Sequence, residues 1–370
     1  MISVSEPLLG AKELSNIIKC VKSGWISSKG AYVKKFEDKF AEFCNTKYAI
    51  STTNGTSALH LSLASLGVKQ GDEVIIPSFT MIATAFAVMY TGAKPIFVDC
   101  DPRTWTMDSS SIEKMITRKT KAIIPVHIYG HPVEMKTISK LSKKHKLFII
   151  EDAAEAHGAE YNNRKCGSLG DIGCFSFYSN KIITTGEGGM LVTNSKKIAQ
   201  KARMLKDLSH SPNRRFLHAE LAYNYRMTNM QAAIGYAQLD RIKELINKRR
   251  NSALLYNKYL CGVKEVRLPA EEDWAKNVYW MYAIVLERNA KIGRDRLMKK
   301  LLDYGIETRP FFVPMHSQPI MKKLSLVNKN TRYPVSDYIS KNGLYLPTSP
   351  LLTEKNIKYI SRTIKKLVSE

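Results

Sequence analysis

The residue in this 370-residue chain whose setting most suggests chemistry is Lys181. It lies in Ser176-Phe177-Tyr178-Ser179-Asn180-Lys181-Ile182-Ile183-Thr184-Thr185-Gly186-Glu187-Gly188-Gly189, between an apolar, aromatic run at 173–178 and a second apolar run at 190–193. A crowded lysine loses pKa, and a neutral amine forms a Schiff base with a carbonyl. Upstream, Leu147-Phe148-Ile149-Ile150-Glu151-Asp152 ends a buried-type strand in carboxylates, followed by Ala153-Ala154-Glu155-Ala156-His157-Gly158. A carboxylate at the carboxyl end of a central strand stands where α/β sheets hold their ligands. A Schiff-base lysine and an acid for a pyridinium nitrogen are the least a protein brings to pyridoxal phosphate (PLP) chemistry. The phosphate needs a third element, and Ser51-Thr52-Thr53-Asn54-Gly55-Thr56-Ser57-Ala58-Leu59 offers it: a strand, a small polar turn, then a helix start whose free N–H groups suit an anion. Each piece alone has an ordinary reading, as a hairpin lysine, an N-cap aspartate or a common Asn-Gly turn. The three in this order point to one chemistry.

Such residues meet only if a scaffold delivers strand ends and helix starts to one place. From residue 48 the pattern alternates, with strands expected at 48–51, 73–77, 95–99, 121–126, 147–151, 173–178 and 189–193 and helices between them, such as 57–66 and 133–145. That alternation predicts an α/β fold with a mostly parallel seven-stranded sheet covered on both faces. Amphipathic helices are expected at 11–22 and 33–43, a basic helix at 196–208, and a polar, aromatic and mobile loop at 209–220. A helix at 229–245 and a long charged helical stretch at 241–260 follow. The remainder mixes a strand at 278–286 with helices at 294–304 and 354–368, a smaller α+β unit. We place the larger unit at 1–245 and the smaller at 246–370, with the N-terminal segment a candidate to pack on the latter.

The chain resembles the DegT/StrS-type nucleotide-sugar aminotransferases, PLP enzymes of the aspartate aminotransferase fold (fold type I). The likeness runs nearly end to end, from Gly24-Trp25-Ile26-Ser27-Ser28-Lys29-Gly30 to Tyr345-Leu346-Pro347. Its most specific pieces are Asn54-Gly55-Thr56-Ser57-Ala58-Leu59-His60, the Glu151–Gly158 stretch, the Lys181 loop and Arg309-Pro310-Phe311-Phe312. The resemblance implies that Lys181 holds PLP and then carries the proton, and that Asp152 keeps the ring an electron sink. Gly55, Thr56, Ser176 and a partner subunit's Asn224 take the phosphate. That last role implies a homodimer with shared sites. Glu155 is placed against the ring oxygen or Asp152, where many relatives carry glutamine. Met81 stands where the family often has an aromatic against the ring, and is equally a core residue. Ser27, Lys29, Arg309 and His316 are expected to contact substrate. The implied reaction moves an amino group from glutamate to C4 of a nucleotide-linked 4-keto-6-deoxy sugar, first a GDP-linked, mannose-derived ketone, for a surface glycan. A UDP- or dTDP-linked glucose-derived ketone and a non-catalytic PLP- or nucleotide-binding regulator are the alternatives. A dehydratase would replace Lys181 with histidine.

Composition sets the outer bounds. The net charge is +24, but its lysines are spread along the chain and no nucleic-acid-binding signature accompanies them. We expect no nucleic-acid partner; the field favours anionic ligands. No apolar run reaches ~18 residues, so no membrane span is expected. The six cysteines lack metal-type spacing and fit reduced thiols in a cytoplasm. His127 and His131 are read as loop hydrogen-bonders, and no metal is assigned.

Overall fold

The computed structural model describes residues 1–211, 213–214, 216–327 and 330–369. Two residues of the expected mobile loop, Pro212 and Arg215, lie outside the described residues, as does Glu370 at the end of the expected smaller unit.

The strands are β1 (Tyr48–Thr52), β2 (Glu73–Pro77), β3 (Lys94–Val98), β4 (Thr120–Ile123), β5 (Phe148–Asp152), β6 (Glu160–Tyr161), β7 (Arg164–Lys165), β8 (Ile172–Ser176) and β9 (Gly189–Thr193). Seven of them form one sheet of order β1-β9-β8-β5-β4-β2-β3. β9 runs antiparallel to both neighbours, and the other pairings are parallel. Helices α1 (Ala11–Ser23), α2 (Ala31–Phe43), α3 (Gly55–Ser65), α4 (Ile82–Tyr90), α5 (Met135–His145), α6 (Lys196–Lys206), α7 (Asn229–Asp240) and α8 (Ile242–Leu260) accompany it. Strand residues alternate between two apolar layers: Ile150, Ile172 and Leu191 join the leucines of α3, while Phe175 and Val192 join Phe36 and Phe40 of α2. Both faces are dry, which is why these strands read as continuous apolar runs.

The expected strands differ from the observed ones mainly at their ends. The 121–126 run leaves the sheet after Ile123, because Pro125 has no N–H to give and Val126 makes only an isolated bridge to Asp152. The 173–178 run ends at Ser176, where Phe177 turns to donate its N–H to Gly188 O (2.8 Å) and accept from Thr185 N (3.0 Å). The helix expected over 229–245 is broken at Arg241 (φ −106°, ψ 4°), whose guanidinium pairs with Glu244 (3.0 Å).

Beyond α8, strands β10 (Val266–Arg267), β11 (Ala275–Lys276), β12 (Tyr282–Leu286), β13 (Arg309–Pro310) and β14 (Gly343–Leu346) and helices α9 (Arg294–Asp303), α10 (Pro319–Lys323), α11 (Pro334–Asn342) and α12 (Glu354–Ser369) complete the chain. β10-β12-β14-β13 form a second, antiparallel sheet, and β11 pairs with β6 to tie the two parts together. The chain's first residues join this second part: Ile2 bridges Ile306, and Val4 N donates to Glu307 Oε2 (2.9 Å).

One backbone row decides the geometry of the main sheet's carboxyl end. Thr52 pairs with Gly189, and Gly189 with Ser176. Asp152 is two residues short of that row on β5, opposite Cys174. The row holds because position 189 has no side chain: a Cβ there would lie 2.2 Å from the Asn54 carbonyl oxygen. Gly189→Ala is therefore expected to lower the unfolding free energy by at least ~1–3 kcal/mol. Urea melts of the two proteins that superimpose would show that the row yields.

Candidate active site

Three strand ends and one helix start surround a cavity of about 440 Å³ at the carboxyl side of the main sheet. α3 begins there because Asn54 caps it, accepting from Ser57 N (2.8 Å), and its first-turn N–H groups have no intrahelical partner. Gly55 lets this helix start press against β8, since a Cβ on it would stand 2.9 Å from that of Ser176. Asp152 ends β5, and Lys181 hangs from the loop joining β8 to β9. Gly55, Thr56, Met81, Asp152, Glu155, Ser176 and Lys181, all expected from the sequence, line this one cavity. Met81 borders it while half exposed, as the residue preceding α4.

The electrostatics follow from burial. The Lys181 amine lies 3.6 Å from Glu155 Oε1, and burial pulls its pKa below that of an ordinary lysine while Glu155 and Asp152 push back. Burial raises the pKa of Asp152, against a hydrogen bond from Thr84 Oγ1 (2.8 Å) and one from Ala154 N (3.2 Å). Glu155 is pushed up to about 7 by burial, with Lys181 and the Tyr129 N–H (2.7 Å to Oε2) opposing. Tyr129 takes a left-handed backbone (φ 52°) to present that N–H, a strained choice for a bulky residue. His157 is driven down to about 3 by burial and stays neutral.

Other expected residues lie elsewhere. Lys29 borders a second cavity of about 360 Å³ with Arg203, Lys206 and Arg226, and its side chain is 71% exposed. Asn224 adjoins it, accepting from Arg226 Nε (3.0 Å). Ser27 spends its carbonyl on the N–H of Asn229, at the start of α7 (3.0 Å). Arg309 pairs opposite Tyr345 but gives its guanidinium to Glu307 (2.5 Å). His316 is held between Ser78 Oγ (2.6 Å) and Asp337 (2.9 Å) and stacks on Tyr333. Neither Arg309 nor His316 lines the first cavity; Phe312, between them, does, with Tyr345 and Trp280. Trp280 escaped the sequence reading because it falls in the run read as a strand at 278–286, whereas β12 begins at Tyr282. Two aromatics beside a valine were the signal, and they look like any strand.

One cluster has the composition of a metal site: ligand atoms of His127, Glu151 and Cys166 all lie within 4.8 Å of one another. The lone pairs of two of its three members, Glu151 and His127, are spoken for. Glu151 accepts from Gly167, Leu169 and Gly170 N–H groups (2.6–2.7 Å) and from His127 Nε2 (3.0 Å). His127 Nδ1 accepts from Val133 N (3.0 Å), which fixes the ring proton on Nε2. The arrangement braces the loop after β7 and the turn after β4.

The first cavity fits pyridoxal phosphate on its own chemistry. At one end a helix start and Ser176 offer donors to an anion; at the other a buried amine stands beside two buried acids. A cationic ring nitrogen against Asp152 would undo the penalty that raises its pKa. Fold and site together define an aminotransferase of the fold-type I class. The chain belongs to the DegT/DnrJ/EryC1/StrS aminotransferase family, whose pattern matches residues 7–365. It is 44% identical over 369 residues to the GDP-perosamine synthase of Escherichia coli O157:H7, covering 100% of this chain and 99% of that one. It is also 44% identical to the GDP-perosamine synthase of Caulobacter vibrioides, covering 96% and 95%. Among solved structures, that of DesV from S. venezuelae in complex with a ketimine intermediate superposes with a TM-score of 0.91 at 32% identity, covering 97% of this chain and 94% of that one.

The Glu155 pKa gives a sign that can be checked. Between its ordinary value near 4.5 and about 7, folded Glu155 keeps a proton that the unfolded chain has lost. Its contribution to stability is therefore complete below 4.5 and lost as the pH rises through 7. Glu155→Gln, which keeps an acceptor for the Tyr129 N–H, is expected to flatten that decline and to raise stability at pH 8 by up to roughly 3 kcal/mol. Urea unfolding from pH 4.5 to 8 measures it, and an unchanged pH slope refutes the assignment.

Proposed function

We propose that this chain carries the amino group of glutamate to C4 of GDP-4-keto-6-deoxymannose, making GDP-perosamine with pyridoxal phosphate as cofactor. The observation that carries the reading is the meeting of the Lys181 amine with Asp152 and Glu155 at one end of a cavity whose other end is a helix start. Full-length similarity to two GDP-perosamine synthases supports the sugar and the nucleotide.

The cofactor, when bound, supplies a carbonyl that takes up the amino group and a ring that withdraws electrons. The protein's part is positioning and proton handling. Asp152, steadied by Thr84, holds the ring nitrogen and keeps it charged. The first N–H groups of α3 and the Ser176 hydroxyl take the phosphate. Lys181 would hold the cofactor through Nζ and, with its amine free, would move a proton at the reacting carbon. Glu155, fixed by the Tyr129 N–H, holds the amine on the cofactor's side of the cavity. Met81, at the cavity's border, would contact the ring. Arg309 and His316 act on the sugar nucleotide through the Phe312 segment they flank, and Lys29 on the second cavity's rim serves it with Ser27 of the same loop.

Asn224 and Lys29 stand apart from this chain's own cavity, which supports their serving a second copy's site. α1 points the same way, since it buries Glu13, Asn16 and Cys20 and leaves Leu14, Ile18 and Val21 exposed. An apolar stripe of that kind is covered by a partner, here another copy of the chain. Five of the six cysteines are buried free thiols, which suits a reducing cytoplasm where precursors of a surface glycan, such as an O-antigen, are made. Among the described residues no helix is long and apolar enough to cross a membrane.

Two experiments test this. The chain is incubated with glutamate and 4-keto-6-deoxy sugars linked to GDP, UDP or dTDP, and amination is read by mass. The GDP-linked mannose-derived ketone is expected to react best; preference for a UDP- or dTDP-linked ketone refutes the substrate while keeping the mechanism. Lys181→Arg is expected to show no turnover with any of them. In sedimentation, wild type is expected as a dimer or larger and the double substitution Leu14→Glu, Ile18→Glu as a single chain. An unchanged assembly would show that α1 faces no partner.

A further inference from the structure

Lys181 is held by more than its two acids. The amine lies 3.7 Å from the centroid of the Trp280 ring, and the same indole donates its N–H to Asn180 O, the carbonyl just before Lys181 (2.8 Å). Trp280 is buried, stacked on Tyr129 (6.2 Å between centroids, 22° between planes) and flanked by Tyr345. Behind it, Arg249 of α8 gives Nη2 to Lys181 O (3.3 Å). Two successive carbonyls of the lysine turn are thus gripped from the C-terminal part of the chain, and one of the grips also faces the amine.

We propose that Trp280 is the positioning residue of the Lys181 amine, one side chain that sets both where Nζ stands and how firmly it keeps its proton. This rests on Lys181 being the cofactor-binding lysine. The groups that face the amine are Asp152, Glu155 and His157 from the segment closing β5 and Tyr345 across the cavity, while Arg249 of α8 lies on the carbonyl of the same residue. The carboxylates favour the ammonium only while they are ionised and free of other cations. Burial disfavours it. The indole face attracts a desolvated cation at any pH, and it offers no lone pair to which the proton can pass. An ammonium resting there keeps its proton until a reacting atom takes it. Glu155 has no such restraint.

The test uses the full-length apoprotein and pyridoxal phosphate, following the rate of cofactor uptake by visible absorbance across pH. Uptake needs the neutral amine, so the midpoint of the profile reports the Lys181 ammonium. Trp280→Leu is expected to move the midpoint down by roughly one pH unit, so that the variant takes up cofactor roughly tenfold faster than wild type well below the midpoint. A damaged fold would slow uptake. Trp280→Phe keeps an aromatic face and loses the N–H; it is expected to shift the midpoint less than leucine does. A leucine profile that superimposes on wild type, or moves up, overturns the proposal, as does a phenylalanine shift equal to that of leucine. Lys181→Ala separates this from the underlying reading. If that variant develops the same absorbance band, the lysine assignment fails and the proposal with it; if it stays dark while leucine leaves the midpoint in place, only the role of Trp280 falls.

Discussion

A buried amine beside two buried carboxylates is the constraint on which the rest of this structure turns. Taken singly, each group is costly: burial drives Lys181 toward its neutral form and both Asp152 and Glu155 toward theirs. Together they stay poised, because each opposes the other's desolvation. An amine that must be nucleophile at one moment and proton carrier at another needs that poise. A lysine locked as an ammonium by a strong exposed salt bridge would lack it, and so would one buried in hydrocarbon alone.

Holding such a group still requires a frame, and the frame is mostly backbone. The row Thr52, Gly189, Ser176 fixes the start of α3 against β8, and the parallel pairing of β8 with β5 sets Asp152 beside it. The loop that carries Lys181 is closed at its base by the Phe177 hydrogen bonds and gripped near its tip by Trp280 and Arg249. The Glu151 carboxylate, saturated by three N–H groups and His127, braces the strand end one residue before Asp152. Rigid elements thus carry the charges, as a site tuned by fractions of an ångström demands.

Much of this was legible in the residues. The seven strands announced themselves as apolar runs because the sheet is dry on both faces, and their mostly parallel pairing follows from alternation with helices. Lys181, Asp152 and the Asn54-Gly55 turn stood out because each breaks a local pattern: a lysine among aromatics, an acid ending an apolar strand, a turn before a helix. What stayed hidden has the opposite character. Trp280 and Tyr345 conform to their surroundings, and Thr84 looks like one more small residue in an apolar helix. Arg309 and His316 have the right types for substrate contact, but Glu307, Ser78 and Asp337 claim their donors, and such pairings arise only on folding. The inverted burial of α1 was equally invisible, since amphipathicity shows that a helix has two faces and not which one its own chain covers.

Arg249 extends the logic of the amine to the layer behind it. Its guanidinium is fully buried, with Nε and Nη1 lacking any hydrogen-bond partner among the described residues and Nη2 on the Lys181 carbonyl; burial lowers its pKa to about 10, so it remains a cation near neutral pH. A buried cation without a paired acid costs several kcal/mol, and a fold keeps one only where neighbouring charge or a held group compensates. Beside it His157 stays neutral, a ring packed among Phe40, Phe175 and Phe177 and not a second positive charge. The acids Asp152 and Glu155 therefore feel one nearby cation, Lys181, while Arg249 holds the carbonyl of that lysine from behind. Glu155 is the group in this arrangement whose charge changes near neutrality, while Arg249 and the indole face do not titrate there. The permanent elements fix the lysine turn in place, and the titrating one adjusts how tightly its amine holds a proton.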